Sequence, residues 1–229
     1  MIIKASLAGI NSKVDTDNKH LIRKTELFRF DYRGEPQVIV KVTDLELRNF
    51  SSKYTGYSKD QAVMRLSAEN FFSAAAEFGC FGIKAATVSI GDKNFIIAAK
   101  GEKDRNSFVS SIFSAGHGIK LIDDSVAAVV INGSGVFVYG TPWSSRTPLK
   151  EKNKLDGIII PSDVISITPA GRKELIDRML LCLILPKRAE QLSVIYSYID
   201  GLNDAVPVLA VPENDSGAFY SYVTLGMNG

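Results

Sequence analysis

Two apolar runs, Ile83 to Ile90 and Phe95 to Ala99, stand on either side of Gly91-Asp92, and no other stretch of the chain narrows its fold as much. Runs of this length ending on a Gly-Asp pair predict a β-hairpin, because the glycine reaches the positive φ that a tight turn requires. Two flanking segments with helical spacing supply its cover. Phe71, Phe72, Ala75 and Phe78 follow Ser67 as a candidate N-cap, with Gly79 past the end. Between Asn106 and Ala115, Phe108/Ile112 and Val109/Phe113 lie four residues apart, so one side of a short helix can bury against a sheet.

The first fifty residues alternate apolar and polar character at Ile2 to Leu7, Leu27 to Phe30 and Val38 to Val42, which predicts short antiparallel strands. The polar stretch Asn49 to Lys59 reads as a loop. Further strands are expected at Ile119 to Ile122, Val126 to Ile131, Val136 to Tyr139 and Pro207 to Val211. Thr168-Pro169 reads as a helix start, followed by an apolar helix through Leu185 and an amphipathic one from Arg188 to Ile199. The class is α/β or α+β with a mixed sheet. With no repeat or linker, 1–229 reads as one domain: a β-rich portion at 1–60, then a core with C-terminal helices at 61–229.

Composition excludes several functions. The 27 Lys and Arg against 25 Asp and Glu leave a net charge of +2, too little for a whole-chain field that would gather nucleic acid or acidic lipid. The longest apolar run, Met179 to Leu185, stops at Pro186, far short of the ~20 residues a membrane span needs. Leu180 to Leu185 therefore reads as core. No signal-peptide pattern opens the chain, and Cys80 and Cys182 read as buried thiols, so a cytoplasmic location is expected. Two Cys and two His show no zinc spacing.

One segment carries more specific information. Phe95 to Ala99 leads through Lys100-Gly101 into the predicted helix, then come Asp123-Asp124 and Tyr139-Gly140-Thr141-Pro142-Trp143-Ser144. In this order the segment resembles the phosphoenolpyruvate carboxykinase-like and HPr kinase-like P-loop phosphotransferases, in particular their small bacterial members. The likeness is strongest from Phe81 to Thr147 and extends more weakly over nearly the whole chain. It implies a P-loop core that binds ATP and Mg²⁺. On that reading Asp123 and Asp124 act as metal ligand and base with Arg105 beside them, and Asp123 and Ser107 hold the metal. Gly101, Lys103, Asn106, Ser107, Trp143 and Arg146 contact the nucleotide or substrate.

The phosphate loop departs from that pattern. A working loop has the form G-x-x-x-x-G-K-[ST], because glycines turn backbone N–H groups toward the phosphates and the lysine bridges the terminal ones. Here Lys100 to Ser107 reads KGEKDRNS, which puts Glu102 and Asp104 in glycine places and Arg105 in the lysine place. Like charges ~4 Å apart cost about 1 kcal/mol in water and about 4 at an effective dielectric of 20. Relatives also commonly carry His-Ala-Ser where this chain has Lys84-Ala85-Ala86, and Lys84 can point either into the cleft or out to solvent.

The expectation is a degenerate, non-catalytic member of the group that binds a small anionic ligand or a protein partner, and neither nucleic acid nor membrane. The alternative is an ATP-dependent kinase that phosphorylates a serine or a small hydroxyl substrate, with Arg105 for charge stabilisation.

Overall fold

The computed structural model describes residues 1–145, 147 and 151–225. Strands β1 (Ile2–Leu7) and β2 (Ile10–Asp15) form an antiparallel hairpin turning on Ala8 and Gly9, both at positive φ. Helix α1 (Lys19–Glu26) starts at Asn18, whose side chain accepts the Leu21 N–H. Strand β3 (Val38–Lys41) then joins β2 in parallel, so the third strand is not antiparallel as expected. Leu27 to Phe30 is not a strand. The N–H groups of Leu27, Phe28 and Arg29 close the end of α1, leaving a single bridge between Arg29 and Ala5.

Helix α2 (Asp44–Lys53) carries a Thr43/Glu46 capping box and occupies much of the expected loop. Its only buried side chain is Phe50, so no apolar stripe announces it. The first sixty residues are thus mixed, not β-rich. Helix α3 (Lys59–Ala75) begins at the Ser58/Gln61 capping box, nine residues before the expected Ser67. Ser67 lies inside the helix, where its hydroxyl donates to the Met64 carbonyl and accepts the Trp143 indole N–H. Gly79 leaves the helix at φ 71 beneath the Ile131 carbonyl, a place no Cβ could enter.

The remaining elements are β4 (Cys80–Ile83), β5 (Ala86–Ile90), β6 (Lys93–Ile97), α4 (Glu102–Ala115), β7 (Ile119–Asp123), β8 (Ala127–Asn132), β9 (Gly135–Tyr139), β10 (Asn153–Lys154), β11 (Gly157–Ser162), β12 (Thr168–Pro169), α5 (Arg172–Cys182), α6 (Ala189–Ala205), β13 (Val208–Pro212) and α7 (Ser216–Leu225). The hairpin turns at Gly91 as expected. Thr168-Pro169 is a two-residue edge strand, not a helix start. Pairing with β13 and the Ala170 N–H bond to the Val208 carbonyl hold it on the sheet until α5 begins at Arg172.

The strands form three sheets ordered β1-β2-β3, β10-β9-β8-β4 and β12-β13-β11-β6-β5-β7. Strands β6, β11 and β13 run parallel at the centre of the largest. Period-2 alternation along β6 sends Phe95 and Ile97 to a core with α4 and α7, and Ile96 and Ala98 to one with α5 and α6. The sheet is therefore mixed and covered on both faces. Cys80 and Cys182 are buried free thiols. Among the described residues no helix is long and apolar enough to cross a membrane.

Candidate functional site

The connection from β6 to α4 is short. Ala98 still donates to the Ile159 carbonyl of β11, and Gly101 is already the N-cap of α4. The helix, expected to begin at Asn106, begins at Glu102, so Glu102 to Arg105 form its first turn and not a loop. Gly101 has φ −141, and among the described residues no φ between Gly91 and Gly118 is positive. An anion nest needs alternation into the left-handed region, so this junction does not wrap a phosphate in backbone N–H groups. Glu102 and Asp104 instead set negative charge at the positive end of α4. Lys103, Asn106 and Ser107 are exposed on the helix. These residues do not fit a triphosphate cradle.

Arg105, in contrast, turns inward and is only 6% exposed. One guanidinium N–H donates to the Lys84 carbonyl at 3.3 Å, while the buried Nε has no acceptor. On α5, across the sheet, Arg178 is 7% exposed and donates to the Ala98 carbonyl at 3.3 Å. Among the described residues neither guanidinium meets a carboxylate. Lys84 lies between these groups, its backbone N–H bonded to the Cys182 carbonyl at 2.7 Å. Burial pushes the Cys182 thiol pKa up, and the positive charges of Arg178, Arg105 and Lys84 oppose that rise. Three cations thus surround the end of β6.

Lys84 and Arg105, with Lys100 and Glu102, line a cavity of about 1020 Å³, whereas Arg178 lines a separate pocket beside Glu174 and Asp177. The segment from Leu180 to Pro186, which pairs with the end of β4 through Leu183 and Ile83, also lines the larger cavity. Leu180, Leu181 and Leu185 are 36%, 68% and 63% exposed, which corrects their expected place in the core; Leu183 and Ile184 do bury. The end of α5 explains the split. Leu175, Met179 and Cys182 occupy its inner face and Leu180 and Leu181 its outer one, while in the extended segment after it Leu183 and Ile184 bury and Leu185 does not. Arg178 lies on that inner face, and an arginine among apolar residues at helical spacing was the overlooked sequence signal.

Trp143 also touches this cavity, but it is mainly a packing residue. Its ring sits 5.2 and 5.5 Å from the Phe71 and Phe72 rings, and its N–H bonds Ser67 at 2.8 Å. Little of the indole is left to stack on a base. The expected contact at Arg146 lies outside the described residues.

The paired aspartates end β7. Asp123 is 1% exposed and accepts the N–H groups of Ser125, Val126 and Thr141 at 2.9, 3.0 and 2.9 Å. Burial pushes its pKa up to about 7, those three bonds pull downward, and the Asp124 charge adds to the rise. A carboxylate so enclosed does not suit a hydrated Mg²⁺. Ser107 stands on the exposed side of α4, and among the described residues no group of three or more His, Cys, Asp or Glu could hold a metal ion. The donors expected for Mg²⁺ therefore do not fit it.

Asp124 is half-buried. Burial would raise its pKa, but bonds from the hydroxyls of Ser145, Ser144 and Ser125 and from the Ser145 N–H outweigh it and hold the carboxyl below its ordinary value. Lys24, also missed in the sequence, is buried beside this turn and donates to the Ser145 carbonyl at 3.2 Å. Burial lowers its pKa, partly opposed by the charge of Asp124. Asp124 and Arg105 line one smaller cavity of about 480 Å³, whereas Asp123 does not reach it. No family model matches the chain, and no curated protein matches it in sequence.

Proposed function

We propose that the protein is a non-catalytic binding module that takes a small anionic ligand in the cleft at the end of β6. The observation that carries the reading is the burial of Arg105 at the edge of that cleft, with its Nε unsatisfied and no carboxylate partner among the described residues. An uncompensated charge in a protein interior costs several kcal/mol, and a bound anion removes that cost. Guanidinium groups suit the task, since their planar fork matches phosphate and carboxylate oxygens. The absence of positive φ around Gly101, with acids at the start of α4, supports binding without phosphoryl transfer.

Isothermal titration with inorganic phosphate, pyrophosphate and ATP–Mg²⁺ tests this. Heat of binding to pyrophosphate that disappears in Arg105→Met, with no phosphate transferred from ATP, is the expected result. A second reading, an ATP-dependent kinase acting on a serine or small hydroxyl compound, draws on the shared cavity of Asp124 and Arg105. Transfer from ATP–Mg²⁺ that is lost in both Arg105→Met and Asp124→Asn would establish that reading and overturn the first.

A further inference from the structure

The cationic end of the large cavity accounts for only part of it. At about 1020 Å³ the cavity reaches the upper size of small-molecule pockets, far beyond the needs of a lone phosphate. Leu180, Leu181 and Leu185, all solvent-accessible, line the same cavity as Lys84 and Arg105, together with Met64. The lining joins the buried guanidinium of Arg105 to exposed leucines, with Asp60, Arg65, Glu69 and Lys187 also on its edge. A nucleotide matches this poorly, because the only nearby indole is already packed against Phe71 and Phe72.

Resting on the anion-binding reading above, we infer that the ligand is a single-chain amphiphile. Its phosphate or carboxylate head meets Arg105 and Lys84, and its apolar chain lies along Leu181 and Leu185. Arg105 is the discriminating group for the head: it is more than nine-tenths buried, its Nε lacks an acceptor, and it borders the cavity at the N-terminus of a fourteen-residue helix. The leucines discriminate for the chain. Water in contact with them is released when hydrocarbon covers them, so affinity grows with each buried methylene.

Isothermal titration of the full chain with inorganic phosphate, butyl phosphate and octyl phosphate, each below its micelle concentration, tests the inference; octanoate and octyl glucoside serve as head-group controls. Affinity is expected to rise about fourfold per methylene buried, octanoate is expected to bind, and the uncharged glucoside is expected not to bind. Leu181→Ser with Leu185→Ser, both at exposed positions, should flatten the dependence on chain length and leave phosphate binding intact. Arg105→Met should abolish binding of every anion. Equal affinity for phosphate and octyl phosphate would overturn the amphiphile and spare the anion site. No binding of any anion would overturn both. Binding to vesicles of anionic lipid without binding of monomeric octyl phosphate would overturn the inference in favour of a membrane surface.

Discussion

Asp123 and Arg105 are both almost completely buried near strand ends, yet their surroundings treat the two charges in opposite ways. Three backbone N–H groups meet Asp123, and serine hydroxyls with a nearby lysine surround its neighbour Asp124. Arg105 meets one carbonyl, as does Arg178. The first arrangement is complete within the chain: it ties the end of β7 to Thr141 and Ser145 and so holds the turn that carries Trp143. The second leaves donors unfilled among the described residues, and the proposed anion would fill those of Arg105. Charge alone does not mark a binding site; charge without an internal partner does.

The largest effect that could break this contrast is expected at the satisfied aspartate. Asp123→Ala leaves the buried N–H of Thr141 and the part-buried ones of Ser125 and Val126 without their acceptor, at about 1–3 kcal/mol for a buried donor, so urea denaturation at neutral pH should show a loss of at least that size. An unchanged midpoint would mean that the turn does not depend on the carboxylate.

The pH dependence of stability sharpens the contrast between the two aspartates. Folded Asp123 keeps its proton to about pH 7, whereas the unfolded chain releases it near its ordinary 3.8. Between those values the folded state binds more protons, so this group lowers stability as pH rises, by up to about 1.4 kcal/mol per unit, and levels off above pH 7. Denaturation midpoints measured from pH 4 to 8 should show that decline, and Asp123→Asn should remove it. Asp124 has the opposite sign. Its carboxyl is held below the ordinary value, so its contribution is present above pH 4 and lost on further acidification. Asp124→Asn should flatten this acid limb in the same titration.

The unsatisfied arginines should respond in the reverse direction. Replacing a buried charge by an apolar side chain of similar volume is often neutral or stabilising by about 1–4 kcal/mol, so Arg178→Met should hold or raise the denaturation midpoint without ligand. Arg105→Met should do the same. A clear loss of stability in either variant without ligand would show that the guanidinium is already satisfied within the chain.

The sequence makes these regions legible to different degrees. The β5–β6 hairpin is readable because Gly91 supplies a backbone conformation that few residues adopt, and apolar side chains fill both faces of the strands around it. Helix α2 is hidden because it buries only Phe50, so its capping box had to speak for it. In the site, Arg105 stands out through its place in a motif. Arg178 is concealed by the apolar helix around it, and Lys24 by a short helix that reads as the approach to a strand. Leu181 and Leu185 mislead for a related reason: a run of leucines looks like core, yet Leu181 falls on the outer face of α5 and Leu185 follows its end at Cys182. Local chemistry is written in the order of residues, while the pairing of charges depends on which strands and helices meet.

The most direct measurement follows the urea midpoint of the wild-type chain and of Arg105→Met with and without pyrophosphate. The wild-type midpoint should rise with pyrophosphate, whereas the variant should start no lower and show no rise. A wild-type midpoint indifferent to pyrophosphate, together with an Arg105→Met chain clearly less stable in buffer alone, would contradict the claim that this buried charge awaits an external anion.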